Sequence, residues 1–178
     1  MTIEIDDSGT GDLIGDAFIG FHRVETGEIC FRSVHVGLFN EENWKQKEPF
    51  NKAVELVKQG LKQLNFDKEK DKILICRGNF FDKVREYFEN QDIKYESTVI
   101  DGKLQDAVEG RLVKHLRKLG VNSKRLTKKS GATRYFVLFN WVCRDFYNRE
   151  RYVKTGFPAW KKKWRERAIK KFEKRYKS

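Results

Sequence analysis

The order in which the hydrophobic period changes along the chain does most to narrow its fold. Ile3 and Ile5 alternate with polar neighbours up to Asp6-Asp7, which reads as a short strand. AFIGFHRV (17–24) and EICFRSVHVGLF (28–39) read as two more, and the turn Glu25-Thr26-Gly27-Glu28 predicts a hairpin between them. The period then lengthens. Pro49 opens a helix whose Ala53, Leu56, Val57, Gly60, Leu61 and Leu64 share one face. ILIC (73–76) is a buried strand, FFDKVREYFEN (80–90) a helix and IKYESTVI (93–100) another strand, before a helix over 104–119 that Gly120 closes. Three antiparallel strands followed by strands that alternate with helices make an α/β fold. Its sheet is mixed, with the later strands parallel and helices on both faces. Beyond residue 120 the pattern changes to a basic loop (121–131) and two helices over 132–147 and 157–176, the second very basic. We therefore divide the chain into an α/β core, 1–120, and a basic helical extension, 121–178, packed on it.

Charge follows the same division. Residues 1–109 carry a net charge of −7 and residues 110–178 one of +19, with no acid between Glu109 and Asp145. A block of that size fits a polyanion better than a merely solvated surface, so nucleic acid is the expected partner. No apolar run is long enough to span a membrane, no signal peptide is legible, and Cys30, Cys76 and Cys143 form no CxxC pair. The expectation is a cytoplasmic protein with reduced thiols, away from membranes; a homo-oligomer is left open.

The stretch IEIDDSGTGDLIGD (3–16) sets two acids at the end of a strand and follows them with glycines. Adjacent carboxylates repel, and they sit together at neutral pH where a cation holds them. Oxygen donors with little His or Cys nearby suit Mg²⁺ or Mn²⁺. Gly9 and Gly11 allow close approach of a substrate backbone and leave N–H groups open to phosphate. A polar β-turn with exposed acids is the plain alternative for these residues.

DDSGTGDLIGD resembles the opening motif of the type 2 ribonucleases H, D-E-A-G-R-G-P followed by G-P. Asp6 and Asp7 match its first two acids, and Gly9, Gly11 and Gly15 its glycines. ILICRGNFF is similar to the family strand that ends in Asp-Gly-Asn, with Gly78 and Asn79 in place but Arg77 at the acid position. DGKLQDAVEGRLVK is similar to the segment with the fourth acid, which would be Asp101, and Lys114 falls on the helix lysine. The resemblance covers residues 1–119. It implies a ribonuclease H-like fold and two divalent ions, Mg²⁺ or Mn²⁺, about 4 Å apart on a carboxylate cluster. Asp6 would bridge them and Asp101 would hold one. Asp106 or Glu109, i, i+3 neighbours on the following helix, would replace the acid lost at Arg77. Thr10 stands where the family has the arginine that reads the RNA strand of a hybrid.

The nucleic-acid contacts expected from the sequence are Gly9, Thr10, Gly11, Arg77 and Lys114, together with Lys128, Lys129 and Arg134 around the basic loop. Trp160, Lys161 and Trp164 of WKKKWRERAIKKFEKRYKS add stacking and charge. Aromatic residues recurring every fourth position there are also what a packed helix face requires. The expected function is a metal-dependent nuclease, with single-stranded DNA the first choice of substrate, because the chain more loosely resembles small archaeal single-strand-specific 3′–5′ exonucleases of this fold. A ribonuclease H acting on RNA–DNA hybrid and a non-catalytic nucleic-acid-binding module, with Arg77 where a metal once sat, are the alternatives.

Overall fold

A computed structural model describes residues 1–127 and 131–177. Its sheet has five strands, β1 (Thr2–Ser8), β2 (Ala17–Arg23), β3 (Glu28–Val34), β4 (Lys72–Cys76) and β5 (Tyr95–Thr98), in the order β3-β2-β1-β4-β5. β1, β2 and β3 are antiparallel neighbours, whereas β4 runs parallel to β1 and β5 parallel to β4. The expected mixed α/β sheet is present. The helices of the described residues are α1 (Glu41–Lys45), α2 (Glu48–Gln63), α3 (Asp82–Asn90), α4 (Lys103–Lys118), α5 (Gly131–Arg144), α6 (Phe146–Arg149) and α7 (Arg165–Tyr176). None is long and apolar enough to cross a membrane.

Neighbouring residues of β2 show how the two faces are covered. Gly20 lies under Leu104 and Val108 of α4, and Phe21, pointing the other way, lies under Gly60 of α2. On the α2 side, Ile3, Ile5, Ile19, Phe21, Ile73 and Ile75 pack with Val57, Leu61, Val84 and Phe88. On the α4 side, Val108, Leu112 and Leu116 share a second cluster with Leu13 and Ile14, and with Leu126, Leu138, Val142, Phe146, Val153 and Trp160 of the extension. The described residues beyond 120 are thus built against α4 and the loop after β1.

Three boundaries differ from the sequence reading. β3 stops at Val34 because His35 accepts a hydrogen bond from Gly37 N and starts a 3₁₀ turn over Val36–Phe39. The helix expected over 132–147 breaks at Asp145, giving α5 and α6. The one expected over 157–176 begins as a π-helical turn at Trp160–Trp164 and becomes α-helical only at Arg165.

Gly60 gives a direct test of the packing. A Cβ there would stand 2.5 Å from the ring of Phe21, which is wholly buried. Gly60→Ala gains up to about 1 kcal/mol of helix propensity but forces a rigid ring aside, at about 1–3 kcal/mol. The expected net result is a lower denaturation midpoint by urea titration. A more stable variant would show the α2–β2 contact to be looser than described.

Candidate functional site

β1 continues through Asp6 and Asp7 to Ser8, paired with Phe18 of β2, so the strand does not stop at the acids as expected. What stops is the ladder on its other side, whose last pair is Ile5 with Ile75. The sheet opens there, and at this rim carboxylate oxygens of Asp6 and Asp7 and the Cys76 sulfur all lie within 4.8 Å of one another. Among the described residues this is the group of three or more such side chains close enough for one ion.

Burial, with repulsion added to it, disfavours the charged forms of these acids. Burial raises the pKa of Asp6, which is 5% exposed; hydrogen bonds from the Asp7 backbone and the Cys76 thiol act against this, and repulsion from Glu109 and Glu4 adds to it. Asp7 is pushed up to about 6 by burial, with repulsion from Asp6 and Glu109 adding to it and the Thr10 hydroxyl, 2.6 Å from Oδ2, opposing it. The Cys76 thiol is raised to about 11, by burial first and then by the charges of Asp6 and Asp7. It is protonated at neutral pH and serves as a donor to Asp6.

Glu109 lies half-buried on α4. It accepts from the Ser8 hydroxyl at 2.7 Å and from Arg134 Nη1 at 2.9 Å, while Arg134 Nε donates to Asp12 Oδ1 at 2.8 Å. The second Asp12 oxygen is buried and accepts no hydrogen bond. Asp7, Gly9, Thr10, Gly11, Asp12 and Glu109 border one cavity of about 420 Å³ beside Arg134 and Tyr135. The loop from Gly9 to Asp16 keeps its shape through two left-handed glycines. At Gly9 (φ 84°) a Cβ would meet Leu112, and at Gly15 (φ 80°) it would meet His115. The extension fastens the same loop. Ile14 pairs with Val153, Gly15 N donates to Tyr152 O, and the fully buried Lys154 donates to Asp12 O at 2.9 Å and Ile14 O at 3.3 Å. Burial lowers the Lys154 pKa to about 8, against the pull of Asp12 and Asp16.

The expected residues divide accordingly. Asp6 and Asp7 come together with Cys76, and Glu109 borders the same cavity as Asp7. Asp101 does not; it is exposed in the turn between β5 and α4, outside the cluster, with no hydrogen-bond or ion-pair partner among the described residues. Asp106 is exposed too, bordering a neighbouring cavity with Gln105, Val113 and Thr127. The set Asp6, Asp101 and Asp106 expected for two ions is not brought together: Asp6 lies with Asp7 and Cys76, and Asp101 follows a strand one place further from β1 than β4. Arg77 is exposed at the rim, and Lys114 is exposed on the opposite side of α4 from Glu109. Lys128 and Lys129 lie outside the described residues.

Four of the expected nucleic-acid contacts are occupied otherwise. The Arg134 guanidinium is held between Asp12 and Glu109. Trp160 is 2% exposed and stacked on Phe146, and Trp164 is packed among Tyr135, Phe136 and Phe139. Lys161 is exposed and paired with Glu41 at 2.7 Å. The sequence reading missed Ser8, Cys76 and Lys154. Cys76 had a signal, since it ends the strand expected beside β1; a lone lysine in RYVKTG had none.

No family model matches the chain, and no curated protein matches it.

Proposed function

We propose that the protein is a divalent-metal-dependent nuclease of ribonuclease H-like fold that acts on single-stranded DNA. The observation that carries this reading is the pair Asp6 and Asp7, gathered at the open rim of the sheet with pKa values raised. Acids in that state favour a hard ion. The oxygens of Asp6 and Asp7 suit Mg²⁺ or Mn²⁺, for which the Cys76 sulfur is too soft a donor, and Glu109 borders the cavity beside them. Such an ion, when bound, supplies Lewis-acid polarisation of a phosphodiester and activation of water. The chain's own part is to fix the donors. Thr10 orients Asp7, Ser8 and Arg134 orient Glu109, and Lys154 holds the loop that borders the cavity.

Single strands are favoured over hybrid because Thr10, at the family's arginine position, turns its hydroxyl to Asp7 and offers no guanidinium to an RNA strand. The extension also exposes Phe136, Tyr147 and Tyr176 beside many cations, and an exposed ring stacks on any unpaired base. One observation favours the non-catalytic module instead. Arg134 already pairs with Glu109, giving this acid an internal counter-charge.

End-labelled single-stranded DNA, duplex DNA and RNA–DNA hybrid, incubated with Mg²⁺ or Mn²⁺ and with a chelator, separate these readings. The expected result is ion-dependent shortening of the single strand with the hybrid intact. Preferential loss of the hybrid supports a ribonuclease H. Retention of all three substrates, bound but uncut, overturns the enzyme reading in favour of the module.

A further inference from the structure

Across the sheet from the acids, the opposite side of α4 carries a second polar cavity of about 210 Å³. Arg111, Lys114 and Lys118 border it from one helix face, with Phe18, Phe31 and Ser33 of the sheet below. The Arg111 guanidinium rests over the rings of Phe31 and Phe18, at 5.6 and 6.0 Å, and this fixes its position. None of the three cations has a carboxylate partner among the described residues. The one acid at the cavity, Asp16, is engaged by Val36 N at 2.8 Å. His115 accepts from Asp16 N through Nε2, and its pKa is lowered, by burial first and then against Asp16 by Lys154, Lys118 and Arg111; it is a neutral wall. Three like charges on one helix face, around a cavity with a hydroxyl in its floor, repel one another until an anion enters.

The strand register says which anion fits. Ser33 pairs with Phe18, and Phe18 pairs with Ser8, next to Asp7. The cavity therefore lies on the same rim as the acids and two strand spacings away, about 10 Å. We propose that Arg111, Lys114, Lys118 and the Ser33 hydroxyl form a phosphate subsite, which holds the backbone of a nucleic-acid strand a few nucleotides from the position the acids address. The proposal rests on the nucleic-acid reading above but not on cleavage.

Binding of a fluorescent single-stranded oligonucleotide, followed by anisotropy in chelator over a range of salt, tests it without catalysis. Each phosphate contact to a single strand contributes about 0.7 to the slope of log K against log salt. Lys114→Gln with Lys118→Gln is expected to make that slope shallower by about 1.4. Lys62→Gln with Lys68→Gln, the same charge removed from exposed positions elsewhere, is expected to leave it unchanged. Ser33→Glu, which brings a carboxylate to the cavity from the sheet, is expected to weaken binding as well. Equal slopes for the two lysine pairs would overturn the proposal. So would a cavity that serves inorganic phosphate alone: phosphate raises the melting temperature of the wild type but not of the Lys114/Lys118 variant, while the oligonucleotide slopes agree. Absence of cleavage in the earlier assay leaves this result standing.

Discussion

Asp6→Asn is expected to melt at a higher temperature than the wild type in chelator, and to lose both the stabilisation by Mn²⁺ and the cleavage of single-stranded DNA. The sign follows from the site. Burial and the nearby charges raise the Asp6 pKa, so its ionised form is disfavoured in the folded, ion-free protein. An amide keeps the shape and an acceptor for the Cys76 thiol but removes the charge. Relief of about 1 kcal/mol raises the melting temperature of a chain this size by about 2–4 °C. Mn²⁺ at a hundred times its dissociation constant stabilises a folded protein by about 2.7 kcal/mol, and the variant forgoes most of that. If a metal supplies several kcal/mol to the reaction, cleavage falls at least ~10²-fold. A residue kept only for structure predicts a different pattern, with a lower melting temperature and an unchanged response to Mn²⁺. That pattern would remove Asp6 from the metal centre.

The largest loss of stability is expected at the other end of the sheet. Arg23 and Asp71 are both buried, joined by two hydrogen bonds of 2.9 and 3.0 Å, and the guanidinium also donates to the carbonyls of Leu64 and Asn65. Asp71→Ala leaves the Arg23 charge buried without its counter-ion, at a cost of about 3–5 kcal/mol. The same pair sets an acid limit. Hydrogen bonding to Arg23 first, and the Asp67 N–H and Coulomb attraction to Arg23 after it, hold Asp71 at about 2, opposed by burial, against 3.8 for the ordinary group. A depressed carboxyl stabilises the fold above its unfolded pKa, and that stability disappears as pH falls from about 4 to about 2, amounting to about 2–3 kcal/mol. Guanidinium titrations between pH 2 and 6 read both effects. The gap between wild type and Asp71→Asn should narrow on acidification; a loss below 1 kcal/mol for Asp71→Ala, or a constant gap, sinks the assignment.

Local period was a good guide to this molecule and long-range pairing was not. The hairpin, the alternation of strands and helices after residue 48, and the face of α2 with Gly60 on it all follow from spacing of two or of three to four. Asp6 and Asp7 were legible because two adjacent acids at a strand end, followed by glycines, match the opening motif the chain resembles; the acids alone would also suit a polar turn. Asp101 was placed by resemblance and by its position after a strand end, and the turn after β5 leaves it in solvent. Composition marks Arg134 and Trp160 as basic or aromatic, but only packing tells which face each presents. One is spent on two acids and the other on Phe146. Lys154 and Asp12 are 142 positions apart, and no local pattern encodes such a bond.

That bond also orders events during synthesis. The turn that borders the acids is fastened by Tyr152, Val153 and Lys154, so an emerging polypeptide that already displays Asp6 and Asp7 lacks the fastening until these residues leave the ribosome. At about 5–20 residues per second the interval lasts roughly 7–30 seconds. During it the nascent protein carries its acids without the loop geometry that the finished chain gives them.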